Sequence, residues 1–116
     1  MEIIYDNKTI KKQCTKYTEA QKKFNKDVAE KLYSTLNFID NASCLMDIKN
    51  MPMYNLHPLK GKRKGTYSID LGRRLGYRLI IVPLDDDENE WDTKNETEIY
   101  KSTKIILALE VTNHYE

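Results

Sequence analysis

Hydrophobic positions repeat with a helical period in the first third of the chain. Thr18, with Gln21 three residues later, has the spacing of a capping box, so a long helix is predicted to begin at Thr18. Apolar side chains then recur every three or four positions and line one helical face. They are Phe24, Val28, Leu32, Leu36 and Ile39. The pattern predicts that this helix ends within residues 37–41, and that a shorter helix follows through Lys49 until Pro52 stops it.

In the second half of the chain the period becomes two, which is typical of strands that bury one face. Residues 67–71 and 77–82 both alternate in this way, and Gly72 and Gly76 bracket the turn between them. The alternation separates Tyr67, Ile69 and Leu71 from Ser68 and Asp70, and Tyr77, Leu79 and Ile81 from Arg78, Ile80 and Val82. The two segments are therefore predicted to pair as a β-hairpin, and Pro83 is predicted to end its second strand.

The remaining segments complete the predicted fold. Residues 104–111, KIILALEV, are apolar on both faces, as expected of a central strand, and residues 3–5 predict a short first strand. Residues 8–16 predict one or two helical turns, and residues 85–98 a charged loop outside the core. The expected fold class is α+β, with N-terminal helices packed on one face of a small, twisted, mainly antiparallel β-sheet, in a single domain of residues 1–116.

The composition is ordinary for a folded domain in water, with 40% apolar and 32% charged residues. No run of about 18 apolar residues is present, so no membrane-spanning helix and no membrane partner are expected. The first residues lack the basic start and long apolar stretch of a secretory signal, so the protein is predicted to be cytoplasmic. Cys14 and Cys44 lie outside any CxxC pattern and are predicted to be free thiols.

The net charge of +1 conceals two oppositely charged segments. Residues 57–82 carry seven cationic side chains and one acid, a net charge of +6, whereas residues 83–98 carry eight acids and one lysine, a net charge of −7. Four of the cations fall within residues 60–64, directly after His57. This clustering favours an anionic partner, and Arg78, inside an apolar strand, requires a carboxylate or a phosphate. A solvated charged surface is the plainer interpretation of the basic segment.

The two histidines, His57 and His114, favour a reaction on RNA. Cleavage needs a base for the ribose 2′-OH proton, an acid for the departing 5′-oxygen, and cations around the pentacoordinate phosphorus. Histidine serves either proton-transfer role near neutral pH. Because the 2′-OH is the nucleophile, no metal or other cofactor is expected. Each histidine taken alone is more commonly an ordinary hydrogen-bonded side chain, and Tyr54, Tyr67 and Tyr77, which could stack on bases, are more commonly core residues.

Three other motifs can be set aside because their spacing or their residue types do not match. The cysteines and histidines lack the paired pattern of zinc sites. Residues 85–96 place oxygen ligands at calcium-loop positions, but Glu90 stands where a glycine is needed. The segment GKRKG follows no strand and has no serine or threonine after a Gly-Lys pair, so it is not a phosphate-binding P-loop.

The segments LHPLKGKRKGTYSIDL, GYRLIIVP and EVTNHY resemble the HigB group of the RelE/ParE toxin superfamily, bacterial toxins of type II toxin–antitoxin modules. The resemblance covers most of the chain and is most specific in the basic loop and the YRL strand. It implies a RelE-like fold and ribosome-dependent endonuclease activity on mRNA. It also implies neutralisation by a HigA-like antitoxin with a helix-turn-helix domain, and contact with operator DNA only through the antitoxin complex.

The resemblance implies roles for individual residues as well. His57 and His114 would transfer protons, Lys60 and Arg78 would stabilise the phosphorane, and Tyr115 would orient the substrate. The implied RNA-binding residues are Lys62, Arg63, Lys64, Arg73 and Arg74. HigB toxins often end their last strand in Asp-Tyr-His, whereas this chain has Asn113-His114-Tyr115, so an asparagine, which cannot act as a base, replaces the acid.

A second interpretation is a binding toxin without nuclease activity, either of the ParE type directed at gyrase or a module that binds only antitoxin and operator DNA. The two histidines favour the nuclease, and Asn113 favours the binding protein. A separate hypothesis concerns residues 85–98, which we call the acidic segment. It predicts that this segment lies near the basic face and competes with RNA.

Overall fold

The computed structural model describes residues 1–113, and within them five strands form one sheet in the order β1-β5-β4-β3-β2. The strands are β1 (Glu2–Tyr5), β2 (His57–Pro58), β3 (Tyr67–Asp70), β4 (Tyr77–Leu84) and β5 (Ile105–Asn113). Strand β1 pairs with β5 in parallel, and all other neighbours are antiparallel. The predicted α+β class and the hairpin of β3 and β4 are confirmed, and the last strand lies inside the sheet, between β1 and β4.

Helices precede and interrupt the strands. They are α1 (Lys8–Thr15), α2 (Tyr17–Lys23), α3 (Lys26–Asn41), α4 (Leu45–Lys49) and α5 (Glu96–Ser102), with 3-10 turns at Pro52–Tyr54 and Gly61–Arg63. The predicted start at Thr18 lies within one residue of the start of α2, but Thr18 does not cap that helix. The single long helix predicted from there is wrong, because the pattern spans two helices, α2 and α3. Asn25 caps α3, since its Oδ1 accepts a hydrogen bond of 2.9 Å from the Val28 backbone N–H. No helix within residues 1–113 is long and apolar enough to cross a membrane.

The hydrophobic core lies between the helices and one face of the sheet. Leu32 and Ile39 of α3 are fully buried there against Ile69, Leu79 and Ile81 of the hairpin. Removing each such side chain from water contributes roughly 1.5–3 kcal/mol. Tyr54, Tyr67 and Tyr77 also pack in this core. The core interpretation of these three tyrosines is therefore confirmed.

Two predictions around the acidic segment are wrong. Strand β4 continues through Pro83, which pairs with Ile106 of β5. The strand can do so because β3 pairs with β4 only as far as Ile81. Pro83 therefore has no neighbour on that side to which a backbone N–H would donate. The acidic segment is also not wholly a loop. Asn95 caps α5 by accepting a bond of 3.2 Å from the Glu98 N–H, and Tyr100 of α5 is buried in the core.

Both cysteines are free, as predicted. Cys14 is buried in the core, and burial raises the pKa of its thiol to about 12. A thiol with such a pKa is protonated at neutral pH and is a packing group, not a nucleophile.

Candidate active site on the sheet

The strand register places His57, Ser68, Ile80 and Glu110 side by side across the sheet. His57 pairs with Ser68, Ser68 with Ile80, and Ile80 with Glu110. Residues directly opposite each other in antiparallel strands point to the same face. Since the alternate residues of β3 and β4 face the helices, this row lies on the opposite side. We call that side the site face.

A second row on the site face contains Asp70, Arg78 and Thr112, which are paired in register across β3, β4 and β5. Arg78 lies two strands and two residues away from His57, a Cα separation of about 12 Å from standard sheet spacings. A long arginine side chain can cover much of that distance. The structure therefore brings two of the predicted catalytic residues, one from each end of the basic segment, onto one surface.

The imidazole of His57 is oriented by the backbone two residues before it. Asn55 adopts a left-handed conformation, with φ of 44° and ψ of 46°, which asparagine tolerates better than most residues. Its carbonyl oxygen lies 2.7 Å from His57 Nδ1. A carbonyl can only accept, so Nδ1 carries the hydrogen, and the neutral ring presents Nε2 as a lone-pair acceptor. That tautomer is the one a general base requires.

Arg78 carries a buried hydrogen-bond donor with no protein partner in the described part of the chain. Its Nε is buried and forms no hydrogen bond, and no carboxylate within residues 1–113 lies within 4.0 Å of its guanidinium nitrogens. The buried Oγ of Ser68, on the neighbouring strand, likewise has no hydrogen-bond partner among residues 1–113. A buried unpaired polar group costs about 1–3 kcal/mol. Two of them on one face indicate a surface prepared for a polar ligand, and a guanidinium fits a phosphate.

Residues 59–66, which we call the basic loop, join β2 to β3. The Leu59 N–H donates to the Thr66 carbonyl at 2.9 Å and closes the loop just beyond the two-residue ladder of β2. Gly61 and Gly65 have φ of +67° and +93°, a left-handed conformation that favours glycine. The glycines of the GKRKG segment therefore shape a tight turn that displays the cations between them.

Arg63 turns the basic loop back over the site face. Its Nη2 lies 3.2 Å from Oε1 of Glu110, and the two side chains are 37% and 47% exposed. Because Glu110 is on β5 and the loop joins β2 to β3, this contact draws the loop across the sheet. An exposed ion pair contributes only about 0.2–1 kcal/mol, so a phosphate can replace the carboxylate. Lys60, Lys62 and Lys64 on the same loop are exposed.

The other predicted site residues are not all gathered here. Arg73 and Arg74 are exposed on the β3–β4 turn, at the opposite end of β3 from the basic loop. They do not join the basic loop. His114 and Tyr115 lie outside the residues that the structure describes.

Asn113, at the position where HigB toxins often have an acid, is paired in register with Tyr77. The Tyr77 ring packs edge-on against Phe24, with centroids 5.4 Å apart, on the helical side of the sheet. The register therefore assigns Asn113 to the core face, one position after Thr112 on the site face. A carboxylate for the site face is supplied at a different position of the same strand, by Glu110.

Sequence reasoning missed Ser68, Asp70 and Glu110 as members of the site face. The alternation that isolates Arg78 also puts Ser68 and Asp70 on one side of their strand, so that signal was present. Glu110 interrupts an apolar strand, which is also a visible signal. Their position beside His57 and Arg78 depends on the register, which the pattern of one strand does not give.

The acidic segment touches the basic loop. Glu90 Oε1 lies 3.3 Å from the position that a Cβ would take on Gly65. Lys64 and Gly65 line a cavity together with residues of the acidic segment. This contact is with the end of the basic loop, and both the position of the segment near the basic face and its competition with RNA stay predictions.

No protein-family model and no curated protein matches this sequence. Solved structures do match its fold. One is a YoeB/ParE toxin from Agrobacterium tumefaciens, with a TM-score of 0.53 and 13% identity over 99% of this chain and 100% of that chain. Another is a YoeB–YefM complex from Staphylococcus aureus, with a TM-score of 0.54 and 17% identity over 99% of this chain and 98% of that chain. The predicted RelE-like architecture is confirmed, and the chain has the α+β fold of YoeB/ParE toxin structures.

Proposed function

We propose that the protein is the toxin of a type II toxin–antitoxin module and that it acts as a ribosome-dependent mRNA endoribonuclease. The observation that carries this proposal is the shared sheet face of His57 and Arg78, with Arg63 drawn over it by Glu110. That face combines an imidazole in the base-competent tautomer with a buried guanidinium donor that no described residue satisfies. The likeness to YoeB/ParE toxin structures supports the toxin class, and the sequence resemblance supports the HigB group.

In the proposed reaction, His57 Nε2 takes the proton of a ribose 2′-OH. The 2′-oxygen forms a bond to phosphorus, and the bond from phosphorus to the 5′-oxygen breaks. Arg78 and Lys60 stabilise the charge on the pentacoordinate phosphorus, and the 5′-oxygen receives a proton from His114. Tyr115 orients the substrate. The products are a 2′,3′-cyclic phosphate and a 5′-hydroxyl, and the chemistry calls for no metal.

The RNA backbone is held by two groups of cations in this proposal. The exposed lysines of the basic loop and Arg63 grip phosphates on one side of the site face, and Arg73 and Arg74 on the other. Such contacts release counterions, so binding weakens as salt rises. The proposed partners are an antitoxin, the mRNA and the ribosome in the cytoplasm. The S. aureus match is a YoeB–YefM complex, which supports a protein partner for this fold.

The test is cleavage of a reporter mRNA on ribosomes, mapped by primer extension and by detection of the cyclic phosphate end. We expect His57→Ala and Lys60→Ala each to slow cutting by on the order of 10²-fold, because a proton-transfer group or a phosphorane cation is lost. Lys101→Ala is the matched control, since Lys101 is an exposed lysine on α5. Normal cutting by both site variants would refute the assignment.

A second candidate is a binding toxin that blocks gyrase. Asn113 in place of the family's acid favours it. Induction in cells separates the two: loss of protein synthesis before DNA synthesis supports the nuclease, and the reverse order supports the gyrase inhibitor.

A further inference from the structure

A cavity of about 300 Å³ lies between the basic loop and the acidic segment, on the side of the sheet away from the site face. Its apolar walls are Tyr67, Pro83, Trp91 and Ile99. The Trp91 indole N–H donates to Thr103 Oγ1 at 3.0 Å, which fixes the ring at the cavity wall. Trp91 is the one tryptophan in the sequence, so its fluorescence reports on this cavity alone.

Three carboxylates complete the lining: Glu90, Asp92 and Glu96. Glu90 stands against Gly65, where the absence of a side chain makes room for it. Glu96 lines the same cavity as Tyr67. Burial, with the Glu96 carboxylate as a secondary cause, raises the pKa of the Tyr67 phenol. The cavity therefore combines aromatic surface with several anionic acceptors.

That combination suits a planar cation. A guanidinium stacks on an indole face and donates paired N–H groups to a carboxylate. The rim also carries Lys64 and Lys94, but the lining keeps three acids against two cations. The surrounding acidic segment has a net charge of −7. Its negative electrostatic potential repels a phosphate-bearing ligand and attracts a basic one.

We infer that this cavity binds an arginine side chain presented by a basic segment of a partner protein. Trp91 stacks on the guanidinium, and Glu96 and Asp92 accept its N–H groups. A protein segment fits better than free arginine because the exposed acids at residues 86–88 extend the negative surface beyond the cavity, where flanking basic residues can pair. The inference is independent of RNA cleavage.

The experiment is a fluorescence titration of Trp91 with two short peptides of equal charge, one with an arginine between two lysines and one with three lysines. We expect a saturable change with the arginine peptide and clearly weaker binding of the lysine peptide. Glu96→Gln should weaken the arginine peptide about tenfold, because a charge-assisted hydrogen bond is lost. Glu98→Gln is the matched control. It removes an acid from the same turn of α5, and Glu98 does not line the cavity.

Three outcomes would overturn the inference: equal binding of the two peptides, equal weakening by Glu98→Gln, or no fluorescence change at all. Saturable binding of guanosine monophosphate in place of the peptide would also overturn it and would assign the cavity to the RNA. Asp92→Asn provides a second variant, and the urea midpoint of each variant shows that it is folded. None of these readings requires an active nuclease, so they leave the proposed function to its own test.

Discussion

Strands β3 and β4 have two faces that are built from alternate residues of the same segments. On the helical face, Ile69, Leu79 and Ile81 are fully buried and have no polar side-chain atoms to satisfy. On the site face, Ser68 and Arg78 hold buried polar atoms that no described residue satisfies. The comparison separates two roles: the first face stabilises the fold, and the second carries buried polar groups that cost stability.

The largest effect is expected from breaking the helical face. Leu79→Ala should lower the free energy of unfolding by about 2–5 kcal/mol, because it leaves a cavity in a closely packed core. Urea denaturation measures the change. A decrease in the free energy of unfolding below about 1 kcal/mol would mean that neighbouring side chains fill the cavity. The helical face would then be less rigidly packed than its burial indicates.

A smaller effect of opposite sign is expected on the site face. Ser68→Ala should raise the free energy of unfolding by on the order of 1 kcal/mol, because a buried hydroxyl without a partner is removed at nearly constant volume. The same urea measurement applies, with Leu79→Ala as the contrasting variant. If Ser68→Ala destabilises the protein, the hydroxyl has a partner in solution and the contrast between the faces is weaker than described.

The smallest change in stability is expected from Glu110→Gln, within about 0.5 kcal/mol, because its ion pair with Arg63 is exposed. Binding of an RNA that lacks the reactive 2′-OH should tighten a few-fold at low salt, since Arg63 is released and a negative charge leaves the site face. Glu30→Gln is the control, because Glu30 forms an exposed pair with Lys26, 4.0 Å apart, on α3. Equal tightening in both variants would show an effect of net charge only.

The sequence predicted the hairpin, the core alternation and the central last strand because each depends on a local period of apolar residues. It failed where a single polar residue overrides the period. Asn25 caps a new helix, α3, in the middle of one periodic run of apolar residues. Asn95 caps α5 within the acidic segment, where no helix was predicted. The prediction at Pro83 failed because a strand tolerates a proline at a position where the neighbouring strand has ended. Where the neighbour ends depends on the tertiary structure.

The candidate site was predictable in part. His57, Arg78 and the cations of the basic loop stand out by residue type and spacing. Glu110 and Ser68 lie beside these residues only because β2, β3, β4 and β5 pair in a particular register. The alternation of apolar residues within one segment does not specify its pairing with a distant segment. The position of Asn113 on the core face also follows from that pairing.

Strand β2 holds the imidazole at the rim of the sheet by two residue pairs, and one of its two members is a proline without an N–H. Such a short border strand can detach in a local fluctuation while the helices and the inner strands stay folded. When it detaches, His57 leaves the row that it shares with Ser68, Ile80 and Glu110, and the edge of β3 becomes available for pairing with another segment.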